Sequence, residues 1–231
     1  MSAAVGITNL YRTSIGKKVI MAVTGLLWVG FVVFHMYGNL KIFSGAPYFN
    51  AYAEGLRELG TPLFGHLHLL TVARAGLVVT LLAHIWAAVT LSLQARNARP
   101  KNYSVKRVVQ ASWASQYIRW GGVAIFFFII YHLAHFTWGV PFLHSQFDRH
   151  DPYANVVFGF SAPYNVAIYL VAVTALGFHL YHGVWSMLQT LGLNSQEYSP
   201  AIRLVAVALG FLIPVGFASV PIAILAGFVT L

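Results

Sequence analysis

The chain has 231 residues, of which 58% are hydrophobic and only 8% are charged, and its mean hydropathy is +0.71. About a quarter of the residues of a soluble domain are charged, so this composition excludes an ordinary soluble protein and indicates a membrane protein. The chain contains no cysteine. Within this chain, structural disulfides, thiolate-held iron–sulfur clusters and covalent c-type haem attachment are therefore excluded.

Five apolar stretches are long enough to cross about 30 Å of hydrocarbon, which takes roughly 20 residues of helix. In chain order they cover residues 18–40, 66–94, 113–139, 164–190 and 202–230. Because the backbone polar groups of a lipid-embedded segment need internal partners, each stretch is predicted to be a helix. Pro214 and Pro221 predict a kink in the fifth. With no internal repeat and no soluble domain, residues 1–231 are predicted to form one all-α, polytopic membrane domain.

The distribution of charge predicts the orientation of the spans. Basic residues precede the first span and crowd the second connection, whereas acidic residues lie in the first and third connections. The basic residues are Arg12, Lys17, Lys18, Arg96, Arg99, Lys101, Lys106 and Arg107, and the acidic ones are Glu54, Glu58, Asp148 and Asp151. The positive-inside rule therefore places the N-terminus in the cytoplasm and the C-terminus outside. We interpret the net charge of +9 as a result of this topology and of contact with anionic lipid, rather than as a sign of nucleic-acid binding.

Six of the ten histidines lie well inside the predicted spans, where an ionisable side chain is a candidate for function. They are His35, His84, His132, His135, His179 and His182. The alternative for any one of them is a neutral imidazole that bonds a neighbouring carbonyl. Counted from the predicted cytoplasmic helix ends, His35 and His132 lie about 25 and 28 Å deep, and His84 and His179 each lie about 15 Å deep.

Two pairs of histidines, each at one height and on two helices, are the arrangement that bis-imidazole ligation of a haem requires. The outer and inner levels are separated by a distance on the order of 12 Å. A divalent metal ion would instead need three or four converging ligands, usually with a carboxylate, and the spans contain no Asp or Glu. The pattern therefore predicts two stacked haems in a five-helix bundle.

Each of two histidines is followed by a second histidine three residues later, on nearly the same helix face. His135 follows His132, and His182 follows His179. Only one member of each doublet can be the ligand, and the spacing does not decide which one. The other member is expected to bond a haem propionate or a quinone, or simply to face the bundle.

Two arginines, Arg119 and Arg74, lie inside the predicted spans rather than beside them. A guanidinium group at this depth needs an anion, and a haem propionate would supply one. Snorkelling of the side chain to the membrane interface is the alternative, because each arginine is within a few turns of a helix end.

Four segments of the chain resemble the haem-bearing helices of a known family. The segments are GLLWVGFVVFHMYGN, TLLAHIWAAV, RWGGVAIFFFIIYHL and ALGFHLYHGVWSM. They resemble the single-chain, five-helix, di-haem cytochrome b anchor of succinate:menaquinone and quinol:fumarate oxidoreductases. The most specific features are the arginine thirteen residues before His132 and the H-x-x-x-G-x-W-S run of the fourth span. The resemblance selects His35 and His132 for the outer haem and His84 and His179 for the inner haem, and leaves His135 and His182 as neighbours or alternative ligands.

The resemblance implies a membrane-anchor cytochrome b subunit of succinate dehydrogenase, the complex II shared by respiration and the tricarboxylic acid cycle. Such an anchor lies in the bacterial inner membrane and binds two haem b groups. On its cytoplasmic face it binds a flavoprotein subunit that carries FAD and an iron–sulfur subunit. It passes electrons through the haems to menaquinone, or in reverse during fumarate reduction, and it does not itself act on succinate.

The quinone site is less well defined by the sequence. The resemblance implies a glutamate between the first two spans, for which Glu58 and Glu54 are the candidates. His66 and His68, at the outer entrance of the second span, could also carry quinone protons, because histidine titrates near neutrality. An inner site is an alternative, near Tyr11, Arg12 and Ser14.

Two other functions stay open on the sequence alone. One is a quinol-oxidising di-haem cytochrome b subunit of a different respiratory oxidoreductase. The other is a cofactor-free transporter whose histidines relay protons, although neither repeated halves nor broken helices are evident. A visible spectrum of the purified protein distinguishes a cytochrome from a cofactor-free transporter, and the proteins that copurify distinguish one respiratory oxidoreductase from another.

The third connection contains a group of histidines and aspartates that resembles a metal site at first sight. The residues are His144, Asp148, His150 and Asp151. They lack the spacing of ligands on a helix, so we interpret the segment as a solvated acidic loop.

Overall fold

The computed structural model describes residues 7–98 and 113–231, and all regular secondary structure in these residues is helical. The α-helices are α1 (Ser14–Leu40), α2 (Ala46–Arg57), α3 (His68–Asn97), α4 (Trp113–Phe136), α5 (Pro152–Ser161), α6 (Pro163–Thr190) and α7 (Ser199–Leu225). Short 3₁₀ segments, Ile7–Arg12 and Lys41–Ser44, flank α1. Helices α1, α3, α4, α6 and α7 are long and apolar enough to cross a membrane. The prediction of an all-α protein with five spans is thus confirmed.

Two span ends differ from the predicted positions by more than three residues, for local reasons, and the others agree within three. Helix α1 begins four residues earlier than predicted, because Thr13 caps it by accepting a hydrogen bond from the N–H of Gly16 at 2.9 Å. Helix α7 ends five residues before the predicted position. There Gly227 adopts a φ of +78°, and the N–H of Phe228 donates to the carbonyl of Ala223 at 2.9 Å, which closes the helix.

Helices α1 and α6 lie at the centre of the bundle. Helix α1 packs against α3, α6 and α7, and α6 packs against α1, α4 and α7. The approach of α6 to α7 depends on glycine, because a Cβ atom on Gly177 would lie 2.7 Å from the carbonyl oxygen of Gly210 and 2.8 Å from Cγ of Pro214. Helix α7 continues through both Pro214 and Pro221. Since α3 and α4 each pack on one of the two central helices, residues on four helices can face the bundle axis.

The two short helices, α2 and α5, cap the end of the bundle that the charge pattern assigns to the outside. Asn50 joins them, because its Nδ2 donates to Oδ1 of Asp151 at 2.9 Å and its Oδ1 accepts from the N–H of Tyr153 at 2.9 Å. A cluster of buried apolar side chains lies at this end and includes Ile42, Tyr153 and Val220. The connections are thus packed caps rather than free loops.

Large apolar side chains remain exposed along the spans. Examples are Phe34 and Val171, each 73% exposed, and Phe127, 64% exposed. A protein surrounded by water rarely leaves so much contiguous apolar surface uncovered. The exposed side chains are therefore consistent with a bundle whose outer surface contacts lipid. The basic residues Arg99, Lys101, Lys106 and Arg107, which the orientation argument uses, lie outside the described residues.

Candidate functional site

The structure brings four intramembrane histidines together as two pairs. The ring centroids of His35 on α1 and His132 on α4 are 5.8 Å apart, with an angle of 81° between the ring planes. The centroids of His84 on α3 and His179 on α6 are 6.3 Å apart, with an angle of 58°. We call these the outer pair and the inner pair. They are the same pairs that the depth count predicts.

The spacing within each pair fits one metal ion between two imidazoles. A metal–nitrogen bond of about 2 Å, with about 1 Å from the nitrogen to its ring centre, puts the centroids of two opposed rings about 6 Å apart. The observed separations of 5.8 and 6.3 Å lie on either side of this value. Packed aromatic rings occupy the same range of distances, so the hydrogen bonding of the nitrogens has to distinguish a metal site from simple packing.

One histidine of each pair is oriented by a hydrogen bond to its Nδ1 atom. Nδ1 of His84 lies 3.1 Å from the carbonyl oxygen of Met21 and 3.2 Å from Oγ1 of Thr24. Nδ1 of His132 lies 3.2 Å from the hydroxyl of Tyr169. No hydrogen bond reaches Nε2 of either ring within residues 7–98 and 113–231. An imidazole held at Nδ1 with a free Nε2 is the usual arrangement of a metal-binding histidine.

The other histidine of each pair makes no hydrogen bond through its ring to any residue that the structure describes. Nδ1 of His179 is buried without a partner, and neither nitrogen of His35 is bonded. An unpaired buried polar atom costs about 1–3 kcal/mol. The fold therefore leaves both rings with unused hydrogen-bonding capacity, and a lone pair available to a metal. The donor set fits a haem iron with two axial imidazoles.

Three helices give the same distance between the two levels. A Cβ atom on Gly25 would lie 3.4 Å from Cε1 of His84, and one on Gly122 would lie 3.8 Å from Cε1 of His179. On each of three helices, ten residues therefore separate the inner level from the outer level. The residues at the two levels are Gly25 and His35 on α1, Gly122 and His132 on α4, and His179 and Tyr169 on α6. Ten residues of helix correspond to about 15 Å. This exceeds the predicted 12 Å because the depth count assumed that all helix ends lie at one height.

Packing distinguishes the two members of the outer doublet. His135 is fully buried, its Nδ1 lies 3.1 Å from the hydroxyl of Tyr169, and its ring centroid lies 4.1 Å from that of Phe136 and 5.3 Å from that of His144. His132, in contrast, is only partly buried and faces His35. For the inner doublet, His182 is partly buried and makes no hydrogen bond to the residues that are placed.

The two intramembrane arginines lie near the two levels along their helices. Arg74 precedes His84 by ten residues on α3, which corresponds to the outer level. Arg119 precedes Gly122 by three residues on α4, within a turn of the inner level. Both are exposed in this single chain, and neither forms an ion pair with a carboxylate in the described ranges. The structure thus offers one cation at the height of each pair.

The predicted quinone residues at the capped end form an exposed cluster. Nε2 of His66 lies 3.4 Å from Oε1 of Glu54 and 3.7 Å from Oε1 of Glu58. Arg57 donates to Oε2 of Glu54 at 2.8 Å, and this hydrogen bond is the main reason that the pKa of Glu54 is lowered. Glu54, Glu58 and His66 each offer one candidate ligand atom, and these three atoms all lie within 4.8 Å of one another. The cluster joins the end of α2 to the connection that precedes α3.

The remaining quinone candidates are not part of this cluster. Nδ1 of His68 accepts a hydrogen bond from the N–H three residues before it at 3.2 Å, so this nitrogen is used by the connection itself. At the opposite end of the bundle, Nε of Arg12 donates to the hydroxyl of Tyr11 at 3.0 Å, and Oγ of Ser14 lies 3.5 Å from Oε1 of Gln94.

The interpretation of the third connection as a solvated loop is wrong for two of its four residues. His144 is 5% exposed, and its Nε2 lies 2.8 Å from the carbonyl oxygen of Asn155. Asp151 caps α5 by accepting from the N–H of Ala154 at 3.0 Å, and this bond together with that from Asn50 lowers the pKa of Asp151. The sequence pattern concealed these roles because both depend on residues of α5 and α2.

Sequence reasoning missed Tyr169 and Thr24, whose hydroxyls contact Nδ1 atoms of the outer and inner pairs. For Tyr169 a signal was present, because it precedes His179 by ten residues on one helix and therefore lies at the outer level. Thr24 has no comparable signal. Its hydroxyl also donates to the carbonyl of Ile20 at 2.7 Å, the usual bond of a threonine in a membrane helix.

The comparison with known proteins gives a family for the chain. Residues 93–217 match the family described as the succinate dehydrogenase/fumarate reductase transmembrane subunit. The match covers 125 of the 231 residues, more than half of the chain, and includes α4 and α6. Two of the four paired histidines, His132 and His179, lie inside it, whereas His35 and His84 lie before it. Neither a curated protein nor a solved structure matches the chain. The chain belongs to the succinate dehydrogenase/fumarate reductase transmembrane subunit family.

Proposed function

We propose that this chain is the membrane-anchor cytochrome b subunit of a succinate dehydrogenase and passes electrons from an iron–sulfur subunit through two haem b groups to menaquinone. Family membership supports the complex. The observation that carries the haem assignment is the presence of two histidine pairs, with ring centroids 5.8 and 6.3 Å apart, at levels ten residues apart on three helices. Family membership also favours this function over the two others that the sequence left open.

The chain's own side chains have distinct parts in this proposal. His35 and His132 would hold the outer haem, and His84 and His179 the inner haem. When bound, each haem supplies reversible one-electron transfer at a potential set by its ligands and surroundings. The bundle would hold the rings in a fixed orientation and exclude water from them, as the apolar side chains around each pair allow.

The arginines complete the haem sites in the proposal. Arg74 at the outer level and Arg119 near the inner level would each pair with a propionate, because a guanidinium inside a membrane needs an anion. Both are without a carboxylate partner in the residues that the structure describes. A propionate would therefore satisfy them without displacing an existing ion pair.

We assign the quinone site to the capped end, where Glu54, Glu58 and His66 form their cluster. Reduction of a quinone consumes two protons, and carboxylate and imidazole groups at a water-accessible surface can supply them. The capping helix lies close to the outer pair, because a Cβ atom on Gly38 would lie 2.8 Å from Cε1 of Tyr52 on α2, and Gly38 follows His35 by three residues. The cluster therefore lies on the same side of the bundle as the outer pair.

The proposal includes an orientation and partners. The N-terminus would face the cytoplasm of a bacterium, and the C-terminus would lie outside the inner membrane. A flavoprotein with FAD and an iron–sulfur subunit would bind the cytoplasmic face, where Arg12, Lys17, Lys18 and Arg96 lie. The direction of electron flow, succinate oxidation or fumarate reduction, would be set by the potentials of the bound groups.

Purification of the chain with its partners tests the proposal. We expect a reduced b-type visible spectrum with two haems per chain, and copurification of a flavoprotein that reduces an artificial acceptor with succinate. A colourless protein would contradict the haem assignment. Two haems together with a partner that does not react with succinate would instead assign the chain to another respiratory oxidoreductase.

A further inference from the structure

One hydroxyl group joins both members of the outer doublet. The Tyr169 hydroxyl lies 3.2 Å from Nδ1 of His132 and 3.1 Å from Nδ1 of His135. Tyr169 is 7% exposed and His135 is fully buried. The contact therefore lies inside the bundle, between α4 and α6, where water does not replace either bond.

The chemistry of a hydroxyl group makes these two bonds different. Within the described residues, the hydroxyl has no hydrogen-bond partner other than these two nitrogens. Its one hydrogen therefore goes to one Nδ1, and its oxygen accepts from the other. The imidazole that donates carries its proton on Nδ1 and has a bare Nε2. The imidazole that accepts carries its proton on Nε2 and has no lone pair there. Tyr169 thus imposes opposite tautomers on the two neutral histidines.

We propose that Tyr169 is a positioning residue that sets His132 as the imidazole with a bare Nε2 and His135 as the one without it, and so selects His132 as the haem ligand. The inference rests on the proposed function, because it assigns a role in the outer haem site. The surroundings give the direction of the chain of bonds. His132 faces His35 across the outer pair, whereas His135 is enclosed by Phe136 and His144.

The contact on the far side of His135 is compatible with this direction. Nδ2 of Asn165 lies 3.5 Å from Nε2 of His135, but it donates to the carbonyl of Gly159 at 2.7 Å. The longer contact lies beyond the usual range for an N–H hydrogen bond. The short bond to Gly159 uses one of the two amide hydrogens, and the second makes at most this long contact with Nε2. His135 is therefore oriented mainly by Tyr169 and by the rings that enclose it.

Removal of the hydroxyl has a directional consequence. A hydrogen bond from Nδ1–H to an acceptor makes the opposite nitrogen a more basic ligand. A more basic ligand stabilises the oxidised iron relative to the reduced iron. Tyr169→Phe leaves Nδ1–H of His132 without its acceptor, so the outer haem becomes easier to reduce. The inner haem, whose ligands do not contact Tyr169, is expected to keep its potential.

The test is a redox titration of the purified complex carrying Tyr169→Phe. We expect two haems per chain, an unchanged inner midpoint potential and a rise in the outer one. At the wild-type outer midpoint potential, the ratio of reduced to oxidised outer haem should rise about fivefold. This change corresponds to a rise in the outer midpoint potential of about 40 mV, at 59 mV per tenfold change. The matched control is Tyr131→Phe, which removes a hydroxyl that donates to Oδ1 of Asn165 at 2.5 Å and does not bond to a histidine nitrogen.

The outcomes separate this inference from the proposed function. A wild-type complex without haem overturns the proposed function itself. Two haems in both variants with unchanged outer potentials, or equal shifts in both variants, overturn only the role of Tyr169. Should Tyr169→Phe fail to assemble, His135→Leu decides, because it removes the acceptor of the hydroxyl hydrogen and so makes the hydroxyl oxygen a weaker acceptor for Nδ1–H of His132. Two retained haems with a raised outer potential then support the inference, and loss of the outer haem or an unchanged potential overturns it.

Discussion

Thr24 on α1 and His84 on α3 are in contact through Oγ1 and Nδ1, which lie 3.2 Å apart. The same nitrogen lies 3.1 Å from the carbonyl oxygen of Met21. A carbonyl can only accept a hydrogen bond, so Nδ1 of His84 carries the proton and Nε2 is bare. One turn of α1 thereby fixes the tautomer of a histidine on a different helix and leaves free the nitrogen that would bind iron.

Replacement of Thr24 by valine tests this contact. The change removes one of two acceptors of the Nδ1 proton but keeps the shape of the side chain. We expect two haems per chain and a rise in the inner midpoint potential of roughly 20–40 mV, since a differential hydrogen-bond energy of about 0.5–1 kcal/mol corresponds to that range. Thr90→Val is the control, because among the described residues the hydroxyl of Thr90 bonds only to carbonyls of its own helix. Equal shifts in both variants would contradict the role of Thr24.

Single alanine replacements of the paired histidines test the ligand assignment. Each replacement at His35, His84, His132 or His179 should remove one haem, because an iron with one axial imidazole is held less tightly. Haem per chain, measured from the reduced spectrum, should fall from two to one. The matched controls are the other doublet members, His135→Ala and His182→Ala, which should keep two haems. Retention of two haems after the change at His132 or His179 would show that the other member of that doublet is the ligand.

The cluster at the capped end predicts a defect in quinone reduction that is separable from haem binding. Glu58→Gln removes a proton-carrying carboxylate 3.7 Å from His66. We expect two haems and a loss of at least about tenfold in succinate:quinone activity, because a positioned acid or base contributes about 10²–10⁴-fold. Succinate oxidation with an artificial acceptor should be unchanged. Glu197→Gln, at an exposed position outside the cluster, is the control; an equal loss there would argue against an outer quinone site.

The cap of α5 predicts a dependence of stability on pH. Asp151 accepts hydrogen bonds from the N–H of Ala154 and from Asn50, and these bonds hold its pKa below the ordinary 3.8. Its carboxylate therefore stabilises the fold above that value, and this contribution is lost as the pH falls through the lowered pKa. Asp151→Ala should lower the free energy of unfolding at neutral pH by about 1 kcal/mol.

The control for this prediction keeps the cap but removes the charge. Asn is as good an N-cap as Asp. The free energy of unfolding of Asp151→Asn in detergent at neutral pH should therefore lie between those of the wild type and Asp151→Ala. Its difference from the wild type should shrink as the pH is lowered below about 4. A difference that stays constant down to acid pH would show that the carboxylate is not stabilised in the folded state.

The contact between α6 and α7 predicts a steric effect. A Cβ atom on Gly177 would lie 2.7 Å from a backbone oxygen, which cannot move without displacing α7. Gly177→Ala should therefore lower the free energy of unfolding by roughly 1–3 kcal/mol, the usual cost of overpacking. A Cβ atom on Gly55 of α2 would meet no atom of residues 7–98 or 113–231 within 4 Å. Gly55→Ala should therefore be neutral or stabilising, because alanine favours helix. Equal thermal unfolding temperatures of the two variants in detergent would contradict this packing.

Features that depend on distance along a single helix were predictable from the sequence. Hydropathy located the five spans, and the rise of 1.5 Å per residue put His35 with His132 and His84 with His179 at common heights. These are one-dimensional quantities, so they need no knowledge of which helices are neighbours. The ends of α1 and α7 moved by several residues because caps at Thr13 and Gly227 are local details that a hydropathy pattern does not contain.

Features that depend on the rotation of each helix and on its neighbours required the three-dimensional structure. The separation of His132 from His135 follows from the packing of Tyr169, Phe136 and His144 around the latter. The gathering of Glu54, Glu58 and His66 requires α2 to fold back against the start of α3. Contacts of this kind join residues that are distant in the chain, and their free energies depend on side-chain packing in three dimensions rather than on spacing along the sequence.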